Sequence, residues 1–430
     1  MSTLKAVRGT RDLLPPETVL WNRVEATARA VFARYGFGEI RTPIFEDTAL
    51  FARSVGEETD IVSKEMYTWD DRARADSDTA QSLTLRPENT AGVVRAYIEH
   101  KLADSGMLQK LFYIGPQFRR ERPQRGRYRQ FWQIGAEVLG PAWSGSDSPL
   151  RDAEVLEMLS TFLNELGVKG WKLEVNSVGS STDRPRYVAA LREALAPVKN
   201  RMSADNQRRA ETNPLRVLDS KAPEDQAVVD SLPKIADFLD DASREHFARV
   251  LAALDACGVP YTVNPRLVRG LDYYTRTTFE FTVPDGSGLG TQNALLGGGR
   301  YDGLSEMLGG PKAPGIGFAI GEDRLILTLQ AQAEAATEQK LDAFVAPMGT
   351  AQNAAALVLA KQLRAAGLAI EVGDGSFRLK KSFEAADKLA RRMVILGEDE
   401  IASGILTVKD FGAGEQTKVP RAELADFLRR

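Results

Sequence analysis

The sequence predicts an α+β protein: an antiparallel sheet flanked by helices, with a helical insertion and a smaller C-terminal α/β domain. Three observations carry this. Residues 110–140 alternate apolar and polar side chains on either side of a short loop, the pattern of two half-buried strands. Residues from about 183 to 258 are helical and charge-rich, unlike the strand-like sequence before and after them. The last ninety or so residues alternate strand and helix.

Length and composition bound the function. A chain of 430 residues suggests two to three domains at about 150 residues each. Its boundaries are read as 1–330 with the insertion inside, a linker at 331–341, and 342–430. Hydrophobic residues at 43% and charged residues at 27% describe a packed globular chain. The net charge of −3 excludes a globally basic nucleic-acid coat protein but leaves room for a local basic patch. One cysteine, Cys257, and two histidines, His100 and His246, are too few for a structural zinc site, which takes about four ligands. No metal site is therefore expected, and any catalysis must use arginine, carboxylates and backbone. Nothing at the N-terminus reads as a signal peptide, and no apolar run approaches about 18 residues, so the compartment is read as cytoplasmic.

The elements follow in order. Pro15 and Pro16 open a helix in which Trp21, Val24, Ala28, Val31, Phe32 and Tyr35 recur at three/four spacing, and Gly36 ends it. An extended segment follows, interrupted by Pro43, which belongs at a strand edge, bulge or boundary. Residues 69–82 are polar and read as a loop. In the insertion, Phe247, Val250, Leu251 and Leu254 form an apolar stripe ended by Gly258, and strand-like sequence resumes at Leu267. The C-terminal domain reads as strand 342–347, helix 350–366, strand 368–372, helix 382–392 and strand 393–397, then a further strand and helix.

The chemistry concentrates in the strand pair. On the first strand Tyr113, Gly115, Gln117, Arg119 and Glu121 share the polar face; on the second Gln133, Gly135 and Glu137 do. Such a surface could floor a pocket, although a half-solvated sheet has the same pattern. The loop between favours a ligand. Residues 119–129 hold six arginines, one glutamate and no lysine, and guanidinium forks bind phosphate bidentately where ammonium cannot.

The segment "FRRERPQRGRYRQFWQIGAE" resembles the second signature motif of class II aminoacyl-tRNA synthetases in its histidyl version. "GFGEIRTPIFEDTALFARSVGEETDIVSKEMYTWDD" is similar to that family's first motif, whose proline-bearing strand, here around Pro43, belongs to a dimer interface. "LVRGLDYYTRTTFEF" and "GGGRYDGL" resemble its histidine-specific blocks, and "GIGFAIGEDRL" its third motif. The likeness spans nearly the whole chain, including a C-terminal domain like the family's anticodon-binding one. It implies ATP-dependent attachment of histidine to tRNA(His) through a histidyl-adenylate. ATP enters as substrate, with Mg²⁺ held mainly by its phosphates, in a homodimer.

The resemblance assigns roles residue by residue. Glu88 and Thr90, helped by Gln133, match the residues holding the substrate α-ammonium; read alone, Asn89 or Thr90 is a helix cap. The family usually has glycine where this chain has Asn89. Glu137 and Tyr274 match the residues that read the imidazole, with Tyr273 lining the same pocket. Arg119 matches the arginine at the ATP α-phosphate, Glu121 the residue near the adenine amino group, and Arg324 the arginine at the γ-phosphate. Arg324 follows Gly321, where a strand gives way to a helix; a cation there opposes the helix dipole by roughly 0.3–1 kcal/mol, which favours a ligand role. Arg269 matches the family-specific catalytic arginine near the α-phosphate and substrate carboxylate; a salt bridge with Asp272 is the plain alternative. Residues 297–299 let the backbone pass close to substrate, or form a tight turn. Arg122 and Gln124 in the loop, and Arg378, Lys380 and Lys381 in the basic stretch "FRLKKSFEAADKLARR", are candidate tRNA contacts. A synthetase-like regulatory subunit and a synthetase for another amino acid are the alternatives. The first typically lacks the C-terminal domain and the ATP-binding arginines, both present here.

Overall fold

The computed structural model describes residues 3–56, 59, 61–71, 81–269, 273–284, 286–289, 293–332 and 340–430. The chain divides into two compact units, Met1–Glu334 and Ala335–Arg430.

The first unit opens with α1 (Glu17–Arg34), β1 (Gly38–Glu39), β2 (Phe45–Asp47), α2 (Thr48–Val55), β3 (Tyr67–Asp71), β4 (Gln81–Leu85) and α3 (Thr90–Glu99). The hairpin of β5 (Gln109–Phe118) and β6 (Gln130–Leu139) leads to α4 (Pro149–Leu166) and β7 (Lys172–Ser177). Four helices follow, α5 (Asp183–Leu195), α6 (Ala204–Thr212), α7 (Gln226–Ser231) and α8 (Asp241–Cys257). The unit ends with β8 (Tyr261–Val263), β9 (Thr275–Thr282), β10 (Ala294–Arg300), α9 (Leu304–Met307), β11 (Gly315–Gly321) and α10 (Glu322–Gln332).

Eight strands form one sheet in the order β1-β5-β6-β11-β10-β9-β7-β8. The six central strands pair antiparallel, and the short β1 and β8 add parallel edges. The apolar face of this sheet is covered by α1 and α4. Phe32 of α1 sits between Phe112, Phe162 and Phe318 at centroid distances of 5.5, 5.7 and 5.8 Å. After α1 the backbone closes with Phe37 N–H on Phe32 O and Gly36 N–H on Ala33 O, the Schellman pattern that needs Gly36 at φ 78°.

Two stretches differ from the reading of the sequence. The ends of the polar segment 69–82 are not loop: β3 and β4 pair antiparallel, with Trp69 opposite Leu83. Their hydroxyls satisfy one another, Thr84 Oγ1 lying 2.9 Å from Thr68 Oγ1 and 2.8 Å from Thr48 Oγ1. A strand can thus be polar on its covered face. The helical stretch also divides: side chains from Tyr187 to Leu239 form their own cluster, while Val250 and Leu254 of α8 belong to the main core. At its far end, Leu267 lies in a loop and the next strand of the large sheet starts at Thr275.

The second unit comprises β12 (Leu341–Pro347), α11 (Asn353–Ala365), β13 (Ile370–Val372), α12 (Leu379–Leu389), β14 (Ala390–Leu396), α13 (Glu398–Ser403), β15 (Ile405–Asp410), β16 (Gln416–Pro420) and α14 (Leu424–Arg429). Its sheet runs β13-β12-β14-β15-β16. The helix expected at 382–392 lies three residues earlier. Ala390 is extended and starts a strand, so Arg391 and Arg392 leave the basic helix; Arg392 Nε instead pairs with Asp410 Oδ2 at 2.8 Å.

Candidate active site

The floor of the site follows from the strand register. On β6, Gln133, Gly135 and Glu137 stand opposite Gly115, Tyr113 and Leu111 on one side and Gly321, Ala319 and Gly317 on the other. Across the next pair, Gly317 meets Gly299 and Ala319 meets Gly297. The middle of the sheet therefore carries almost no side chain of its own. Neighbouring groups lie flat in the space. A Cβ at Gly317 would collide with Glu137 Oε2; one at Gly297 would stand 2.5 Å from the Arg269 guanidinium, at Gly299 2.8 Å from the Tyr274 ring, and at Gly115 2.6 Å from Arg86 Nη2. Residues 297–299 are thus mid-strand, forming no turn, and the alternating glycines seat side chains of this chain.

Above this floor is a cavity of about 260 Å³ bordered by Glu88, Thr90, Arg119, Glu121, Gln133, Arg269, Tyr273, Tyr274 and Arg324. Nine candidate residues, drawn from widely separated stretches, converge on it. Glu137 lies at its buried end. Thr90 Oγ1 donates to Glu137 Oε1 at 2.7 Å and Tyr301 OH to Oε2 at 2.5 Å. Burial pushes the Glu137 carboxyl up to about 8, against the pull of these two donors and helped by the nearby Glu88 charge. Burial also raises Glu88, which accepts the backbone N–H groups of Thr90 and Ala91 at 2.8 and 3.0 Å. The cap of α3 therefore comes from Glu88, and neither Asn89 nor Thr90 supplies it. Asn89 has φ −124°, where asparagine is unstrained, and its Oδ1 accepts from Thr42 Oγ1 at 2.5 Å and Arg86 Nη1 at 3.4 Å.

Two ends of the cavity differ in charge. At one, the Tyr273 and Tyr274 rings lie tilted at 52° with centroids 4.8 Å apart, and Tyr301 meets Tyr273 edge-on at 5.9 Å. At the other are the arginines. Arg119 donates through Nε to Pro87 O at 2.9 Å and lies over the Phe131 ring at 5.4 Å. Arg269 pairs with Glu280 at 2.7 Å, and Asp272 lies outside the described residues. Burial opposes the Arg269 charge, but Tyr274 and Glu280 outweigh it and raise its pKa. Arg324, on the first turn of α10, donates to Ala294 O at 2.7 Å, and burial together with Arg127 lowers its pKa. Glu121 lies 3.3 Å from Arg127 and 3.9 Å from Arg119.

The six loop arginines separate by role. Arg119 and Arg127 border the cavity, Arg129 bonds Arg8 O at 3.2 Å, and Arg120 lies over Tyr67 at 5.7 Å. Arg122 and Arg125 are exposed at the loop tip, as is Gln124, whose N–H bonds Arg127 O at 3.1 Å to tighten the turn. In the second unit Arg378, Lys380 and Lys381 are exposed at the start of α12. Some cavity residues were missed. Tyr301 stands inside the quoted block "GGGRYDGL", and Tyr113 and Glu280 are polar-face positions of their strands. Arg86, packed against Gly115 of the floor, gave no sequence signal beyond its place before Glu88.

An antiparallel floor of small residues, buried carboxyls at one end and guanidinium groups at the other, and a separate α/β unit together define the class II aminoacyl-tRNA synthetase plan. Comparisons narrow it. The model of the histidyl-tRNA synthetase family matches residues 9–325, and that of an anticodon-binding domain matches 342–430. A histidine–tRNA ligase of Koribacter versatilis is 68% identical over 427 residues, covering 99% of this chain and 96% of that protein. One of Solibacter usitatus is 53% identical, covering 99% of each. The crystal structure of apo histidyl-tRNA synthetase from S. aureus matches with a TM-score of 0.80 at 37% identity, covering all of both chains. The chain belongs to the histidyl-tRNA synthetase family. It is a ligase that charges tRNA(His) with histidine at the expense of ATP. No described helix is long and apolar enough to cross a membrane.

Proposed function

We propose that the cavity of the first unit, the catalytic domain, binds histidine and ATP together and makes histidyl-adenylate before transfer. The histidine carboxylate attacks the α-phosphorus, the bond to the β-phosphate oxygen breaks, and pyrophosphate leaves. A hydroxyl of the terminal ribose of tRNA(His) then takes the histidyl group, and AMP leaves. One observation carries this reading: Arg119, Arg269 and Arg324 border the same cavity as Glu88, Gln133 and the tyrosine pair, with Glu137 at its buried end. Anionic phosphates suit the first group and a zwitterion with an imidazole suits the second.

In this assignment Arg119 and Arg269 offset charge building on the α-phosphate, Arg269 also steering the histidine carboxylate. Arg324 meets the γ-phosphate and Glu121 the adenine amino group. Glu88, Thr90 and Gln133 hold the α-ammonium; Glu137 and Tyr274 read the ring, and Tyr273 closes the wall. Mg²⁺ arrives on the ATP phosphates and adds positive charge there. Arg122 and Gln124 on the loop, and Arg378, Lys380 and Lys381 in the anticodon-binding domain, contact tRNA. The protein works as a cytoplasmic homodimer. Exposed Ile44, Phe45 and Trp69 beside Pro43 supply an apolar patch for such an interface. The test is histidine-dependent ATP–pyrophosphate exchange with other amino acids as controls. Equal exchange with a second amino acid, or none with histidine, would sink the assignment.

A further inference from the structure

Residues 3–14 form neither helix nor strand, yet they press on two residues of the cavity wall. Arg11 is half-buried where three elements meet: the first turn of α1, the limb of the loop returning into β6, and the first turn of α10. Its Nη1 donates to Glu17 Oε1 at 2.9 Å and its Nη2 to Asp323 Oδ1 at 3.0 Å. The guanidinium also lies over the Tyr128 ring at 4.8 Å and the Trp21 ring at 5.8 Å.

Tyr128 and Asp323 border the cavity, and each is followed or preceded in the chain by an arginine that does too, Arg324 and Arg127. Asp323 is 4% exposed, and its second oxygen accepts the Trp132 N–H at 3.0 Å. One carboxylate thus ties α10 to the start of β6, and Arg11 supplies its counter-charge. Burial raises the Asp323 carboxyl, against the pull of the Trp132 N–H and of Arg11. Without Arg11 burial favours the neutral acid, a weaker acceptor for Trp132.

The backbone beside Arg11 grips the same limb. Arg129 N–H bonds Gly9 O at 2.7 Å, and a Cβ at Gly9 would stand 2.8 Å from the Arg129 side chain and 2.9 Å from Pro123. At the turn of the loop Gly126 lies against α10, where an added Cβ would fall 3.4 Å from Leu327 and 3.6 Å from Arg324. The limb is therefore held by the N-terminal segment on one side and rests beside Arg324 on the other.

We infer that Arg11 is a positioning residue for the phosphate end of the site, setting Arg127 and Arg324 through Tyr128 and Asp323 without touching substrate. The inference rests on placing ATP at that end of the cavity. A guanidinium suits the task, because it offers separate nitrogens to two carboxyls while lying flat on an aromatic ring.

Full-length Arg11→Ala, Arg11→Lys and Gly9→Ala test this by histidine-dependent ATP–pyrophosphate exchange, with melting curves on the same preparations. Arg11→Ala should raise KM for ATP about tenfold, the worth of one charged hydrogen bond, and leave KM for histidine within about twofold. Lysine should recover part of the loss, since it keeps the charge opposite Asp323 but not the planar fork. Gly9→Ala, with Arg11 intact, should also raise KM for ATP by displacing the limb. If Arg11 only fastens the segment, alanine lowers the melting temperature and leaves both KM values unchanged, which overturns the inference. Equal rises in the two KM values overturn it as well, because they mark a general loosening. Arg324→Ala is the control. A raised KM for ATP there, with none in Arg11→Ala, refutes the role of Arg11 alone; no change in either refutes ATP at this end of the cavity.

Discussion

Arginines in the two units work under opposite conditions. In the cavity, Arg269 and Arg324 are half-buried and held by named partners, Glu280 and Ala294 O, respectively. At the start of α12, Arg378, Lys380 and Lys381 stand in solvent. A charge fixed in a low-dielectric site stabilises a developing charge strongly and in one geometry. A charge in solvent contributes mostly by releasing counter-ions, in any geometry that brings a phosphate near. The difference separates a part of the protein that needs accurate placement from a part that tolerates slack, and it can be broken by experiment.

The largest effect is expected at Arg269. Arg269→Ala should slow adenylate formation about 10²–10³-fold, or roughly 3–4 kcal/mol, while ATP binding changes far less. Lysine should restore only part of it, because a point charge lacks the planar fork. If Arg269 merely pairs with Glu280, the mutant should melt earlier and adenylate normally. Single-turnover adenylation and a melting curve on one preparation separate the two.

Glu137 comes next. It carries the raised carboxyl near 8, so its ionised form grows as pH rises through that value. If it accepts an imidazole N–H as a carboxylate, KM for histidine should fall between pH 6.5 and 8.5. Glu137→Gln should raise KM on the order of tenfold and flatten that slope, for about the cost of one charged hydrogen bond. A wild-type KM that rises over the same interval would assign the proton the other way.

The solvent-exposed trio should give a smaller effect of a different kind. Replacing Arg378, Lys380 and Lys381 together by glutamine should weaken charging roughly tenfold at low salt and reduce its log–log salt dependence by about two. Exchange should be unchanged. A mutant that keeps the wild-type salt slope would remove these residues from the RNA contact.

A last effect falls on stability and leaves the reaction itself alone. Glu322, at the start of α10, is fully buried, and neither carboxyl oxygen has a hydrogen-bond partner; burial, with Glu25 and Asp323 nearby, pushes it up to about 9. The unfolded chain loses this proton near the ordinary carboxyl value and the folded chain keeps it. Stability contributed here is thus full at low pH and falls as pH rises toward 9, by at most about 1.4 kcal/mol per unit. Glu322→Gln should melt increasingly above wild type between pH 5.5 and 8.5. A constant offset would contradict the assignment.

Much of this was legible in the sequence, for identifiable reasons. The β5–β6 floor shows itself because strand side chains alternate with period two, which by itself puts Gln133 and Glu137 on one face. The β3–β4 pairing stayed hidden because the strand ends inside that segment, Asp70, Asp71 and Gln81, face solvent, so their polarity read as loop. Arg391 and Arg392 were placed on a helix because alanine and basic residues favour one, yet pairing with β12 draws Ala390 into a strand. Tyr301 and Glu280 could have been found by following alternation through β9 and past β10. That Glu88, not Asn89, caps α3 depends on loop geometry that no spacing rule encodes.

The glycines at the centre of the large sheet set a datum. Because Arg269, Tyr274 and Glu137 rest against main chain, their heights above the sheet are fixed by ladder hydrogen bonds and van der Waals radii. A ledge built on stacked side chains would drift whenever one of them changed rotamer. Here the depth of the pocket has the dimensional tolerance of a β-ladder, and a single methyl group at residue 317 would shift the whole gauge.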